Sequence, residues 1–388
     1  MSTAAALDYL ASEMRAWRHD IHRYPELMYE EHRTSDLIAD CLLSFGLDVV
    51  RGVGKTGVVG SLHRGGSNSS IALRADMDAL PIHEETCVPY RSRHDGKMHA
   101  CGHDGHVAML LGAAKHLAKN PKFNGTVHFV FQPAEEGGAG AQAMIDDGLF
   151  QDRSIDSVFG MHNWPGMSTG AFGTCPGPMM ASYDTFEITI QGVGAHGAMP
   201  ERSRDPIPVG ALLISALQTI VSRNLAPSDA GVVSVTQLSA GDADNVIPGT
   251  LTMRGSARAF SVRDQDTIET RMRETVEGVC SAHGTCGVLQ YDRIYPCLIN
   301  TPSETEIACD AARSLVGADG VDSAMTPTVA SEDFSFMLNA KPGCHIFVGN
   351  GLAEGGCLLH NARYDFNDDI LTLGAAYWCA LVERKLND

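Results

Sequence analysis

Four short segments of this chain gather thiol, imidazole and carboxylate side chains. The first is Cys101-Gly102-His103-Asp104-Gly105-His106, where Cys101 and His103 are two residues apart. On extended backbone that spacing sends both side chains to the same side. The second is Pro133-Ala134-Glu135-Glu136-Gly137-Gly138, directly after a run rich in Val and Phe. Its adjacent carboxylates allow one to bind a metal ion while the other faces elsewhere. The third is Gly160-Met161-His162-Asn163, again after an apolar run, and the fourth is Leu359-His360-Asn361. Taken singly, each has an ordinary reading: a packed histidine, a solvated Glu pair, or a thiol acting as a small buried hydrophobe. Together they lie where strands end, which is where open α/β sheets bind ligands. Thiolate, imidazole and carboxylate with a spare carboxylate form the donor set of a hydrolytic metal site.

The other histidines divide less sharply. His99 and His106 lie close to these ligands and read as structural, with the orienting of a ligand as the alternative. His196 sits among small residues in Gly192-Val193-Gly194-Ala195-His196-Gly197-Ala198-Met199-Pro200. Such a setting suggests a tight turn that presents the ring, and leaves a functional and a structural reading both open. The string GVGKTG at 52–57 imitates a phosphate-binding loop. It lacks the required earlier glycine, since Val49 stands there, and no helical sequence follows it. It reads as a turn into a strand.

The elements that must position these residues follow from periodicity. Residues 7–45 carry apolar positions at helical spacing (Leu10, Met14, Trp17, Ile21, then Ala39, Leu42 and Leu43) and predict two helices. Strands are predicted at Thr56–Leu62, Ser70–Leu73 and Thr126–Phe131, with a helix after His106 carrying Val107, Leu110, Leu111, Ala114 and Leu117. AEEGGAGAQAMIDDGLF predicts a loop feeding a helix. This alternation belongs to an α/β sheet covered on both faces. Near Ser182 the character changes to a β-α-β-β-α-β unit, the split ferredoxin-like pattern. The predicted architecture is a two-domain α/β protein. Residues 1–183 and 294–388 form a discontinuous catalytic domain with a mixed sheet. Residues 184–293 form an inserted ferredoxin-like α+β lid and dimerisation domain.

Composition narrows the classes. The chain of 388 residues is 44% hydrophobic and 20% charged, enough to bury a core and too apolar for disorder. A net charge of -18 argues against nucleic acid and anionic membrane surfaces. The N-terminus lacks the basic-then-apolar order of a signal peptide. Apolar runs such as Leu371 to Val382 fall short of the ~20 residues that span a bilayer. Eleven cysteines, an odd number without framework spacing, favour reduced thiols in the cytoplasm.

At the strings RHDIHRYPEL, RADMDALP, GKMHACGHDGH, FQPAEEGG, GMHNWP, GVGAHGAMP, NVIPGT, SEDFSFM and LLHNARYDF, the sequence resembles the co-catalytic metallopeptidases that include aminoacylase and carboxypeptidase G. Within that group it is most similar to the branch of hippurate hydrolase and the plant auxin-conjugate hydrolases. The strings run from about residue 18 to 366. The resemblance implies two divalent ions (zinc, manganese, cobalt or nickel) bridged by Cys101. Glu136 and His360 would complete one ion, and His103 and His162 the other. It implies Glu135 as the catalytic carboxylate and His196 as a residue lent to a partner subunit's active site, hence a homodimer. Asn245 would contact substrate and Arg258 would hold the substrate carboxylate.

The chain also departs from the wider family. Other branches carry His-x-Asp where Asp76-Met77-Asp78 stands here, and Asp at the bridging position occupied by Cys101. Both departures are typical of the hippurate hydrolase branch. They leave Asp76 and Asp78 to orient ligands and tilt the ion towards softer metals such as zinc. The implied reaction is hydrolysis of the amide bond of N-acyl amino acids. Rival readings are a dipeptidase or exopeptidase on the same metals, and a non-catalytic binding protein. A structural zinc site would show four closed ligands and no spare carboxylate.

Overall fold

A computed structural model describes residues 5–352 and 357–387. The chain divides into two compact units. One comprises Met1–Gly177, Ile299–Thr326 and Asp333–Asp388, and the other Pro178–Leu298 with Pro327–Glu332.

The first unit opens with α1 (Ala11–Arg23) and α2 (His32–Ser44), which turn Met14, Ile21, Ile38 and Leu42 into the core. Two strands, β1 (Asp48–Val53) and β2 (Gly57–Arg64), form a hairpin. Gly54 and Lys55 take left-handed φ of 66° and 80° at its bend, so the GVGKTG string is a turn into a strand. The strand β1 was not anticipated. Its mostly exposed, irregular burial leaves little periodic signal.

Next come β3 (Ser70–Asp76), α3 (His103–Lys119), β4 (Gly125–Gln132), α4 (Gly140–Asp146), β5 (Ser157–Pro165) and β6 (Phe172–Gly173). The helix α3 begins at His103 itself, inside the metal-ligand string, and nearly all its positions are buried. The predicted loop before α4 runs to Ala139, because Pro133, Gly137 and Gly138 keep that stretch out of a helix.

The chain leaves the first unit through β7 (Gly177–Met180). The second unit holds β8 (Tyr183–Gln191), β9 (Ala195–His196), α5 (Pro206–Asn224), β10 (Gly231–Ala240), β11 (Val246–Ile247), β12 (Thr250–Ala259), α6 (Val262–Ala282) and β13 (Cys286–Tyr295). Its antiparallel sheet has the order β10-β12-β8-β13, the split ferredoxin-like arrangement expected from the sequence. The alternation in β8 buries Phe186, Ile188 and Ile190. From α5 and α6, Leu213, Leu217, Ile268 and Met272 join the same core. Among the described residues α5 is the one helix long and apolar enough to match a membrane span by composition. Its buried stripe of Val209, Leu213, Leu217 and Ile220 instead serves this core.

The chain returns through β14 (Leu298–Asn300) and continues with α7 (Pro302–Val316), β15 (Val321–Asp322), α8 (Phe334–Ala340), β16 (Gly343–Gly351) and α9 (Leu371–Lys385). The large sheet has the order β1-β2-β4-β3-β5-β16-β6-β15. It is mixed: β4, β3, β5 and β16 run parallel, while β1, β2 and β6 provide antiparallel pairings. The parallel strands are buried along almost their whole length, as strands covered on both faces must be. Their carboxyl ends deliver Asp76, the Glu135–Glu136 turn and His162.

Candidate active site

At the carboxyl ends of β3, β4 and β5, the first unit brings together the residues singled out in its sequence. Cys101 precedes Gly102, the N-cap of α3, whose φ of 95° lets the chain turn sharply into the helix. A Cβ at Gly102 would lie 2.3 Å from Asn163 Nδ2 and 2.6 Å from the Tyr364 hydroxyl, so only glycine fits. The helix then presents His103. Its Nδ1–H donates to the Asp78 carbonyl oxygen at 2.9 Å, and its Nε2 has no hydrogen-bond partner although fully buried. His162, on β5, donates from Nδ1 to the Asn163 carbonyl oxygen at 2.6 Å and leaves Nε2 3.3 Å from Cys101 Sγ. Both rings are thus fixed by a backbone acceptor with Nε2 pointing inward, the way a neutral imidazole is presented to a metal.

Glu136 and His360 close the other side. His360 takes a left-handed φ of 62°, and its N–H donates to the Ala100 carbonyl oxygen at 2.8 Å. Its Nε2 lies 3.1 Å from Glu136 Oε1. Ligand atoms of Cys101, Glu136 and His360 all lie within 4.8 Å of one another, as do those of His103, Glu135 and Glu136. Glu135 is 7% exposed and sits among these groups as the spare carboxylate.

The donor set fits divalent ions. Burial and the neighbouring Glu136 and Glu135 push the Cys101 thiol well above its ordinary range. Burial holds the His162 imidazole well below its own. A cation between them would favour the Cys101 thiolate and needs His162 neutral, so both groups suit a bound metal ion. Two ligand groups that share Glu136, together with a third formed by Asp76, His103, His106 and His162, give room for two such ions.

Asp76 and Asp78 stand behind the ligands. Arg74 Nη1 donates to Asp76 Oδ2 at 2.8 Å, and His106 Nδ1 lies 2.6 Å from Asp76 Oδ1. The Asn163 N–H donates to His106 Nε2 at 3.0 Å, which leaves the ring proton on Nδ1 for Asp76. With both nitrogens engaged, His106 orients the site although its ring lies 4.5 Å from that of His162. Sequence favoured a structural role for it. The available signal was its i, i+3 spacing from His103, which places both rings on one helix face.

Further back, Arg18 Nε donates to Asp104 Oδ2 at 2.8 Å, and His22 Nδ1 lies 2.8 Å from the same oxygen. Arg18 also pairs with Asp365 and Asp368, and all of its side chain is buried. This cluster roots the first turn of α3 and was not found from sequence.

His196 and Asn245 lie in the second unit, described by itself. Strand β9 pairs with β11 in the register Val246 to His196, and the Gly197 N–H donates to the Asn245 carbonyl oxygen at 2.8 Å. The two residues are therefore neighbours on one small exposed ribbon. The Ala198 N–H donates to His196 Nδ1 at 3.0 Å, so the neutral ring carries its proton on Nε2. Arg258, on β12, stacks 4.4 Å from the centre of the Tyr183 ring and donates from Nη1 to Ser331 Oγ at 3.0 Å.

An α/β sheet with this donor set at its carboxyl ends, and a ferredoxin-like insertion, defines a metal-dependent hydrolase. The chain belongs to Peptidase family M20/M25/M40, which it matches over residues 72–384. It is 42% identical over 377 residues to the hippurate hydrolase of Campylobacter jejuni, covering 97% of each chain. It is 38% identical over 377 residues to thermostable carboxypeptidase 1 of Saccharolobus solfataricus, covering 95% of this chain and 94% of that protein. Among solved structures it resembles a dinuclear metal-binding peptidase of the M20 family from Bacillus subtilis. The TM-score is 0.85 and the identity 32%, covering 97% of this chain and 99% of that one.

Proposed function

We propose that this chain hydrolyses the amide bond of N-acyl amino acids, releasing a carboxylic acid and a free amino acid. The observation that carries the reading is the carboxylate of Glu135, buried within 4.8 Å of ligand atoms of His103 and Glu136 and additional to the Cys101, Glu136 and His360 group. A structural metal site has no use for such a group. The similarity to a hippurate hydrolase supports an acylated substrate.

Cys101, Glu136 and His360 would hold one divalent ion, and Cys101, His103 and His162 the other. When bound, the ions supply Lewis acidity and let water ionise near neutral pH. Glu135 takes a proton from the attacking water as its oxygen joins the amide carbon. The C–N bond then breaks as Glu135 returns the proton to the leaving nitrogen. His196, with its proton held on Nε2, donates a hydrogen bond to the oxyanion, a contribution of about 3 kcal/mol for one such donor. Asn245, beside it on the ribbon, contacts the substrate, and Arg258 is a candidate for its carboxylate. Zinc suits the thiolate best, with manganese, cobalt and nickel as alternatives.

The residue His196 serves the partner subunit in a homodimer built through the second unit. Exposed Ile207 and Leu212 on α5, and Leu238 on the edge strand β10, support that interface. Cys101 must be a thiolate to ligate, which suits the reducing cytoplasm.

A second reading, a carboxypeptidase on the same metals, is favoured by the similarity to thermostable carboxypeptidase 1. The deciding experiment measures amine release by metal-reconstituted enzyme from N-acyl amino acids and from peptides with a free ammonium, each with and without chelator. Chelator-sensitive release from acyl amino acids is expected. Release from peptides alone would replace the assignment with the peptidase reading.

A further inference from the structure

The two carboxylates at the centre of the site ride on a turn that is strained where it begins. Ala134 sits at φ 52°, in the left-handed region, with no exposure to solvent. For a residue with a Cβ this conformation is unfavourable and persists only if its surroundings impose it. Here the imposing groups come from outside the turn. The Ala134 N–H donates to Glu31 Oε1 at 2.9 Å, and the Thr56 hydroxyl donates to Glu31 Oε2 at 2.6 Å. Tyr29, itself at φ 63°, donates its hydroxyl proton to the Gly138 carbonyl oxygen at 2.6 Å. Lys55 Nζ sits 3.6 Å above the Tyr29 ring centre and packs that ring in place. The fit is close. A Cβ at Gly138 would lie 3.1 Å from Tyr29 Cε2 and 2.6 Å from Ala134 Cβ.

We propose that Glu31, seconded by Tyr29 and Thr56, is a positioning residue that holds Ala134 left-handed and thereby aims Glu135 and Glu136. The proposal rests on the reading of Glu135 as general base and Glu136 as a metal ligand. Glu31 touches neither substrate nor ion in this scheme; it acts through the backbone of Ala134. Its chemistry is otherwise hard to account for. Glu31 is 0% exposed, and its side chain meets the Ala134 N–H and the Thr56 hydroxyl rather than a cationic group among the described residues. Burial raises its carboxyl above the ordinary range, with the Thr56 hydroxyl pulling the other way. A buried carboxylate without a cation costs several kcal/mol unless hydrogen bonds satisfy it. Donors that do so from outside α2 are the strained amide and the Thr56 hydroxyl from the turn between β1 and β2. Were Ala134 to relax into the right-handed or extended basin, the next two side chains would swing to other directions.

The test uses Glu31→Ala, Glu31→Gln and Tyr29→Phe in the full chain, with two readouts. One is cobalt(II) affinity and stoichiometry, by competition with a chelating dye. The other is kcat and KM on N-benzoylglycine. Glu31→Ala is expected to weaken one of two cobalt ions about 10–100-fold and lower kcat by a similar factor, as loss of outer support does. KM should stay within about 3-fold, since substrate binding is not what the residue serves. Glu31→Gln keeps an acceptor for the Ala134 N–H and should restore both readouts to within about 3-fold. Unchanged cobalt affinity and kcat in Glu31→Ala overturns the proposal. So does an equal loss in Glu31→Gln, which would make charge rather than position the cause. If Glu31→Ala does not fold, Tyr29→Phe decides: a loss of about 3–10-fold in both readouts supports the clamp, and no change overturns it. Wild-type enzyme that takes up two cobalt ions yet releases no amino acid from N-benzoylglycine or from other N-acyl amino acids would sink the assigned reaction. Cobalt affinity would still decide the role of Glu31.

Discussion

One carboxylate ties a metal-ligand candidate to the turn that carries the others: Asp78 Oδ2 accepts the Glu136 N–H at 2.9 Å, and its Oδ1 lies 3.3 Å from His103 Nδ1. Asp78 thus couples the position of His103 on α3 to that of Glu136 after β4. Asp78→Asn keeps the shape and an acceptor for the Glu136 N–H, but replaces the carboxylate oxygen beside the His103 ring with an amide group. Metal affinity should fall about 10–100-fold. Titration of the apo-protein with zinc or cobalt checks this, and wild-type affinity would show that the link carries no weight.

Glu135→Gln removes the proton acceptor without moving a ligand. Two ions per chain should remain, measured by elemental analysis, while kcat falls about 10²–10⁴-fold. Wild-type turnover in the variant would transfer the role of base to another group.

A histidine acting across a dimer can be complemented. His196→Ala and Glu135→Gln should each be nearly inactive alone. Equal amounts, mixed after dissociation and reassociation, should recover about a quarter of wild-type activity. Half the dimers are then mixed, and each has one intact site. No recovery, with mixed dimers demonstrated by differential tagging, would put His196 in the site of its own chain.

Buried His22 makes stability depend on pH. Burial lowers its pKa, but hydrogen bonds to Asp104 and Glu84 outweigh this and raise it to about 9. A folded pKa above the ordinary one means the stabilisation is complete below about pH 6.5. It is lost as pH rises through about 9. The shift corresponds to about 3 kcal/mol. Melting temperatures of the metal-loaded protein should fall between about pH 7 and pH 9.5, and fall less in His22→Gln. Parallel curves would remove His22 as the cause.

Arg18 should be among the costliest polar residues to truncate. Arg18→Ala leaves Asp104 buried beside His22 alone, a loss of about 3–5 kcal/mol. A change in melting temperature within error would mean that water or His22 compensates.

What could be read before folding, and what could not, divides by distance along the chain. Glu135, Glu136 and His162 stand in short strings at strand ends, whereas Cys101 and His103 stand where a loop enters α3, so residue type announces the latter pair more than strand position does. The parallel strands that bring those strings together were legible as apolar runs separated by helical ones. Arg18 and Glu31 were not legible, because their partners Asp104 and Ala134 lie 86 and 103 residues away. A lone Arg or Glu in a sequence reads as solvated surface, the usual fate of charged side chains. Buried charge pairing leaves no periodic trace. His106 falls between: its string was visible, but the hydrogen bonds that assign its role belong to Asp76 and Asn163.

The turn from Ala134 to Ala141 is held at its main chain. Glu31, Asp78 and Asp333 accept the N–H groups of Ala134, Glu136 and Ala141, three carboxylates from three separate stretches of chain. Those bonds do not depend on which side chains the turn displays. Divergent descendants could therefore exchange the displayed groups one at a time, acquiring a different reactivity or losing it, while inheriting the same loop shape. The frame and the chemistry mounted on it are separately heritable.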